Sequence, residues 1–133
     1  MDEIVRAVEG SAPAARVVTE FLAAMEARDL DRAGRMLAPG AEMVFPGEAA
    51  FGDLPALVDW ARPRYRRVGK RFDRSDAAPT EDGDVVVVQG VLHGEWPDEE
   101  PFDGIRFVDW FLVRGGLIVA QRVWNDLAEA ARA

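Results

Sequence analysis

Two consecutive predicted strands near the C-terminus constrain the fold most, because both are apolar on their two faces. In residues 102–113 and 117–124, each of the two alternating sets of side chains contains large apolar residues. A strand that is apolar on both sides is expected to be covered on both sides. Where helices cover one face of a single sheet, a second copy of the chain is the simplest cover for the other face. We therefore predict a homodimer through the outer sheet face, at Val108, Trp110 and Trp124.

The remaining patterns predict an α+β architecture. Three helices are predicted, each beginning at a capping residue: from Ser11 to about Arg28, from Asp29 to about Leu37, and after Asp53. A Pro-Gly pair at 39–40 is predicted to end the second helix, and a short strand follows at 41–46. Further strands are predicted at 70–78, 85–96, 102–113 and 117–124, before a final helix at about 125–132. Helices first and an antiparallel meander after them indicate a single domain over residues 1–133.

The composition excludes several classes of function. The 133 residues carry a formal net charge of −8, so we expect no nucleic-acid partner. No apolar run is long enough to cross a membrane, and the first ten residues do not resemble a signal peptide, so we expect a cytoplasmic protein without a membrane partner. There is no cysteine and no nucleotide-binding or metal-binding motif, so we expect no cofactor and no metal ion. Acid–base chemistry by a carboxylate or by His93, the only histidine, is the most available mechanism.

Asp109 is the strongest candidate for a functional carboxylate. It lies in an apolar run between Phe107 and Phe111, where a carboxylate is costly unless it is hydrogen-bonded or neutral. It is therefore predicted to be an acid or base in a pocket. The alternative is a structural group held by a neighbour such as Gln121. The flanking strands offer no lysine to pair with it; Lys70, the only lysine, lies in a basic stretch that is predicted to be solvated.

The other candidates each have a structural alternative. His93 is the only residue expected to titrate near neutrality, or else an exposed histidine at a strand end. Trp60 is a candidate pocket wall. Gln121 and Asn125 share one face of the last strand and can add polar contacts to a cavity, but Asn125 can instead cap the final helix.

Three segments carry a resemblance to a known superfamily: VVTEFLAAMEARDLDRAGRMLAPGAEMVFPG (17–47), FGDLPALVDW (51–60) and RFVDWFLVRGGLIVAQRVWNDL (106–127). They resemble the nuclear transport factor two-like superfamily and, within it, the SnoaL-like branch. The resemblance implies a cone-shaped α+β barrel, in which N-terminal helices pack in a strongly curved, mostly antiparallel sheet that leaves an apolar pocket. Members often dimerise through the outer sheet face. They include ketosteroid isomerases, limonene epoxide hydrolases, polyketide cyclases and non-enzymatic modules.

The catalytic positions of these relatives fall on mixed residue types here. The catalytic tyrosine and the general base of ketosteroid isomerases fall on Phe21 and Phe45, and their second oxyanion-hole acid falls on Asp109. The acid of epoxide hydrolases falls on Val123. The resemblance therefore implies neither activity. SnoaL-type polyketide cyclases use a histidine and an aspartate on neighbouring strands, for which His93 and Asp109 are the candidates.

We therefore expect a SnoaL-like protein with an apolar pocket, acting as an isomerase or cyclase by proton transfer on a small hydrophobic, ring-containing compound. The alternative is a non-catalytic ligand-binding or dimerisation module of the same fold. The catalytic candidates are Asp109 and His93. The ligand-binding candidates are Phe21, Met25, Phe45, Trp60, Phe107, Gln121 and Asn125. The basic stretch at 62–74 is expected to be a solvated surface, with an anionic partner as the alternative.

Overall fold

A computed structural model describes residues 11–131. In this part of the chain there are four helices: α1 (Ala12–Glu26), α2 (Leu30–Gly34), α3 (Leu54–Ala61) and α4 (Leu127–Ala130). Two of the predicted helix starts are confirmed by their caps. The side chain of Asp29 accepts a hydrogen bond from the backbone N–H of Arg32 at 3.2 Å, and Asp53 accepts one from Ala56 at 2.8 Å. Each bond satisfies a first-turn donor that would otherwise lack an intrahelical partner.

Six strands form one mixed sheet in the described part of the chain. They are β1 (Leu37–Phe45), β2 (Ala49–Phe51), β3 (Arg67–Thr80), β4 (Gly83–Glu95), β5 (Pro101–Arg114) and β6 (Leu117–Asn125). Their order across the sheet is β2-β1-β6-β5-β4-β3. Only β1 and β6 pair in parallel, and all other neighbours are antiparallel. The sheet does not close into a barrel, and helices pack inside its cone-like curve. The predicted α+β class is confirmed.

The region around the Pro-Gly pair at 39–40 differs from its prediction. Helix α2 ends at Gly34 rather than near Leu37, and strand β1 begins at Leu37 rather than at residue 41. The pair lies inside β1, where the register against β6 shifts between Leu37 and Glu42. Gly40 has a φ of +76°, a backbone conformation that favours glycine, so this irregular segment stays within the strand.

The core lies between α1 and the inner face of the sheet. Phe21 of α1 and Phe111 of β5 are both buried, and their rings meet edge to face with centroids 6.1 Å apart. Such an arrangement is favourable beyond the area that it buries. Met43 and Ile118 extend the same core towards β1 and β6. The inner face of β5 therefore packs on α1 at Phe111, whereas near Phe107 it lines a cavity.

No helix in residues 11–131 is long and apolar enough to span a bilayer.

Candidate functional site

A cavity of about 1000 Å³ opens on the inner face of the sheet, beyond the end of the α1 core. Its volume is at the upper end of the range typical of small-molecule sites. Most of the wall is apolar, and the largest of these side chains are Phe45, Trp60, Leu92, Trp96, Phe107 and Leu127. The polar groups on the wall include Tyr65, Lys70, Asp109 and Asn125. A mainly apolar cavity with a few polar groups is the usual form of a site for a small organic ligand.

An ion pair forms the polar centre of this cavity. Lys70 Nζ lies 3.0 Å from Asp109 Oδ2; the Asp109 side chain is completely buried and the Lys70 side chain is 25% exposed. The contact is an ion pair by distance, but neither Asp109 oxygen receives a hydrogen bond of normal geometry from the described residues. A buried carboxylate costs several kcal/mol unless a partner compensates its charge. Lys70 supplies that partner and is the member of the pair that solvent reaches.

The strands that flank β5 hold no lysine, as expected, but Lys70 reaches Asp109 from the next strand along. Lys70 lies on β3, which is separated from β5 by β4, and its long side chain crosses the inner face. Between them, Gly90 of β4 pairs with Phe107 of β5 and has no room for a side chain, because a Cβ atom there would clash with the backbone carbonyl of Arg71. The ammonium group lies 5.2 Å from the centroid of the Phe107 ring, within cation–π range. The stretch around Lys70 is thus not wholly a solvated surface.

The backbone at Lys70 is fixed by a contact with helix α1. Its N–H, at the edge of the sheet, donates a hydrogen bond to Glu26 Oε1 at 3.2 Å. The preceding Gly69 is buried, and a Cβ atom there would lie 2.8 Å from His93 Cε1 and closer still to Glu26 Oε1. Only a residue without a side chain fits between these two groups without moving them. Gly69 and Glu26 therefore help to position the backbone from which the Lys70 side chain projects.

His93 is not brought together with Asp109. It pairs with Gly69 across β3 and β4 and follows Leu92, which lines the cavity, so its ring points to the opposite face of the sheet. His93 is not on the cavity wall; it lies close enough to Asp103 to help lower the pKa of that carboxyl. The backbone N–H of Gly104 is the main cause of the lowered pKa of Asp103. The partner of Asp109 is therefore Lys70 and not His93. The sequence could not decide this, because a shift of one residue in a strand moves a side chain such as that of His93 to the other face.

The predicted ligand-binding residues divide between two cavities. Phe45, Trp60, Phe107 and Asn125 line the large cavity. Phe21, Met25 and Gln121 instead line a smaller cavity of about 150 Å³ between α1, α3 and β3, which Phe45 also borders. Four residues border both cavities and form the partition between them: Phe45, Tyr65, Val68 and Lys70.

Two predicted polar residues have different surroundings. Gln121 is 3% exposed, and its Oε1 has no hydrogen-bond donor among residues 11–131. Asn125 lies on the wall of the large cavity, but its Oδ1 accepts a hydrogen bond from the backbone N–H of Leu127 at 3.0 Å. Asn125 therefore also supports the start of α4 through its side-chain oxygen.

Aromatic side chains build the wall near the mouth of the cavity. The Phe45 ring contacts Trp60 and Phe51 edge to face, with centroids 5.6 Å and 6.2 Å away. The Arg64 guanidinium stacks 3.8 Å from the centroid of the Trp60 ring. These contacts keep Trp60 against the cavity rather than in solvent, as its candidate role requires.

Ion pairs connect the start of β3 to the end of β4 and to the loop that follows it. Arg66 pairs with Glu99, and Arg67 pairs with Glu95 at 3.0 Å. Most of these groups are exposed, so each pair contributes little to the free energy of folding. Much of the basic stretch is nevertheless paired with acidic residues of the same chain, so its positive charge is largely neutralised at the protein's own surface.

The outer face of the sheet carries large exposed apolar side chains. Val108 of β5 and Trp124 of β6 lie directly opposite each other in the register, and their exposed fractions are 36% and 58%. Trp110 lies on the same face of β5 and is partly buried. No group of three or more potential metal ligands from His, Cys, Asp and Glu occurs in the described residues.

A family model for the SnoaL-like domain matches residues 18–121, and the chain belongs to this family. No curated protein matches it in sequence. Among solved structures it is similar to a nuclear transport factor two-like protein of unknown function from Burkholderia pseudomallei, with 20% identity over 88% of this chain and 93% of that one and a TM-score of 0.71. A proposed polyketide cyclase from Streptomyces antibioticus matches with 17% identity over 86% of this chain and 92% of that one, at a TM-score of 0.67. A proposed SnoaL-like polyketide cyclase from Jannaschia sp. CCS1 has 21% identity over 74% of this chain and 73% of that one, at a TM-score of 0.58. These likenesses confirm the predicted family and fold.

Proposed function

We propose that this protein binds a small hydrophobic, ring-containing compound in the large cavity and acts on it by proton transfer, as an isomerase or a cyclase. The observation that carries the proposal is the completely buried carboxylate of Asp109 on the wall of an apolar cavity, with no hydrogen-bond donor of normal geometry among the described residues. A carboxylate with unused acceptor capacity in such a place is suited to accept a proton from a ligand. The family's proposed polyketide cyclases favour the same class of reaction.

The step follows from the chemistry of a carbonyl compound. An Asp109 oxygen takes a proton from the carbon beside the carbonyl, the electrons of the C–H bond form a C=C bond, and the carbonyl π electrons move to oxygen. The resulting enolate either receives the proton at another carbon, which is an isomerisation, or attacks a second carbonyl carbon, which closes a ring. The apolar wall excludes water and so strengthens the electrostatic interactions on which this step depends.

One observation favours the alternative, a non-catalytic ligand-binding module. The Asp109 oxygens have almost no accessible surface, and Lys70 lies against Oδ2. In a binding module this ion pair would be a fixed part of the wall and would take no proton.

Deuterium exchange separates the two candidates without knowledge of the natural substrate. We use 2-tetralone, a bicyclic ketone with an acidic CH₂ group, in D₂O and follow its C–H signals by NMR. The proposal predicts exchange faster than in buffer with the wild type, and a loss of roughly 100-fold or more in Asp109→Asn. Asp103→Asn is the matched control, since it changes an exposed carboxylate of the same strand and should keep the wild-type rate. A ketone that binds, as shown by its shifted signals, but exchanges at the buffer rate would establish the binding module instead.

We also propose that two copies pair through the outer sheet face. The support is the row of apolar side chains that Val108, Trp110 and Trp124 present there, of which Trp124 is more than half exposed. Large exposed apolar patches on soluble proteins commonly mark interaction sites.

A further inference from the structure

We infer that Lys70 is the residue that binds the ligand's oxygen atom, and that the cavity prefers oxygen compounds that are weakly acidic, such as enols and phenols, over permanently anionic carboxylates. This inference rests on the proposed function for its relevance to turnover. It concerns a residue that neither the family's motifs nor the sequence pattern assigns to the site.

The ammonium group of Lys70 has unused hydrogen-bond donors. Its ammonium group carries three N–H donors, and the only acceptor that it approaches among residues 11–131 is Asp109 Oδ2. The group is directed over the Phe107 ring into a mainly apolar cavity, where protein acceptors are few. A polar group in such a place is costly unless an acceptor satisfies it. A ligand oxygen that enters the cavity is that acceptor.

Lys70 is more accessible to an entering ligand than Asp109 is. Lys70 retains 25% of its side-chain surface, whereas Asp109 retains none. A ligand therefore meets the ammonium group before the carboxylate. When the ammonium turns towards a ligand oxygen on its flexible stem, it leaves Asp109 free to accept a proton. Binding of oxygen by Lys70 and proton transfer to Asp109 are thus steps of one rearrangement.

The net charge of the cavity favours a neutral ligand over an anionic one. The Lys70–Asp109 pair is neutral, and a neutral phenol or enolisable ketone leaves the cavity neutral when it binds. If a phenol loses its proton, the O–H bond breaks, its electron pair stays on the ligand oxygen, and the proton forms an O–H bond with Asp109. The site then holds a Lys70–phenolate ion pair and a neutral carboxyl group, so the net charge is unchanged. A carboxylate ligand adds a negative charge beside Asp109, which is unfavourable in an apolar site.

The test uses 4-nitrophenol, whose phenolate is coloured, at a pH where the free phenol is mostly protonated. With wild-type protein we expect a phenolate absorbance band that saturates with protein concentration, and weaker binding of 4-nitrobenzoate. Lys70→Met should abolish the band and weaken phenol binding about tenfold or more, because it removes a charge-assisted hydrogen bond. Nitrobenzene, which has the same ring without the hydroxyl group, should bind both proteins equally.

Asp109→Asn should change the ligand preference in the opposite direction to the wild type. Because this result is a gain of binding, a folding defect cannot imitate it. The substitution leaves the charge of Lys70 uncompensated, so 4-nitrobenzoate should bind more tightly than to the wild type, and the preference for the phenol should reverse. If Lys70→Met does not fold, Lys70→Met/Asp109→Leu, which buries no charge, takes its place. An unchanged phenolate band without Lys70, or an unchanged preference in Asp109→Asn, would overturn the inference. A Lys70-dependent band together with no deuterium exchange of 2-tetralone would instead refute only the proposed catalysis.

Discussion

Replacement of Lys70 by methionine is the sharpest test of the ion pair as a structural element. The substitution keeps an unbranched, apolar stem but leaves the completely buried Asp109 carboxylate without its partner. Breaking a fully buried pair costs about 3–5 kcal/mol. Because the Lys70 side chain is 25% exposed, solvent already weakens its part of the interaction. We therefore expect a loss of about 2–3 kcal/mol in the free energy of unfolding.

Thermal and urea denaturation measure this loss. At about 4 °C for each kcal/mol in a chain of this size, the melting temperature should fall by roughly 8–12 °C. Arg71→Met is the matched control: it removes the neighbouring cation on the same strand, whose ion pair with Asp103 is more than half exposed on both sides. That change should cost less than about 1 kcal/mol.

Asp109→Leu completes a double-mutant cycle. Leucine is apolar like the surroundings of Asp109, and the change leaves only the partly exposed Lys70 without a partner, so it should cost less than Lys70→Met. The double variant Lys70→Met/Asp109→Leu should be more stable than Lys70→Met alone, because it no longer buries a charge. If Lys70→Met were as stable as the wild type and the coupling energy were below about 0.5 kcal/mol, the two residues would not form the pair described here.

Three further predictions concern the surface, the reaction and the sheet edge. Trp110→Glu should convert a dimer to a monomer in light scattering at micromolar concentration, since it places a charge inside the apolar contact; a wild-type protein that is only monomeric would refute the dimer. Turnover of 5-ene-3-ketosteroids should be negligible, because Phe21 and Phe45 replace the hydroxyl donor and the base; robust turnover would show that these positions are misaligned. Gly69→Ala should lower the melting temperature, because the new methyl group would displace Glu26, and an unchanged value would show that this contact is not required.

Short-range features of the fold could be predicted from the sequence. The helix starts at Asp29 and Asp53 depend on a side chain and a backbone N–H three residues away, so the local sequence contains both partners. The strands from β3 to β6 are also predicted, since glycine-containing turns at 82–83 and 114–116 separate them and the last two are apolar on both faces. Strand β2, with three residues, has too few positions to show alternation, and the start of β1 depends on pairing with the distant β6.

The candidate site was predictable only in part. The apolar run around Asp109 indicated a buried carboxylate, and the structure places it on the cavity wall. The Lys70 contact could not be read from the pattern, because it joins two strands, β3 and β5, that are not neighbours in the sheet. The face of His93 could not be read either, since an irregular register between Leu92 and Gly94 obscures the alternation.

A crystal structure of the complex with 4-nitrophenol tests the central claim most directly, namely that the Lys70–Asp109 pair is the polar centre of a ligand site. We expect the ring among Phe45, Trp60 and Phe107, with its oxygen about 2.8 Å from Lys70 Nζ. A phenol bound with its oxygen away from Lys70, for example at Arg64 of the mouth, would contradict it.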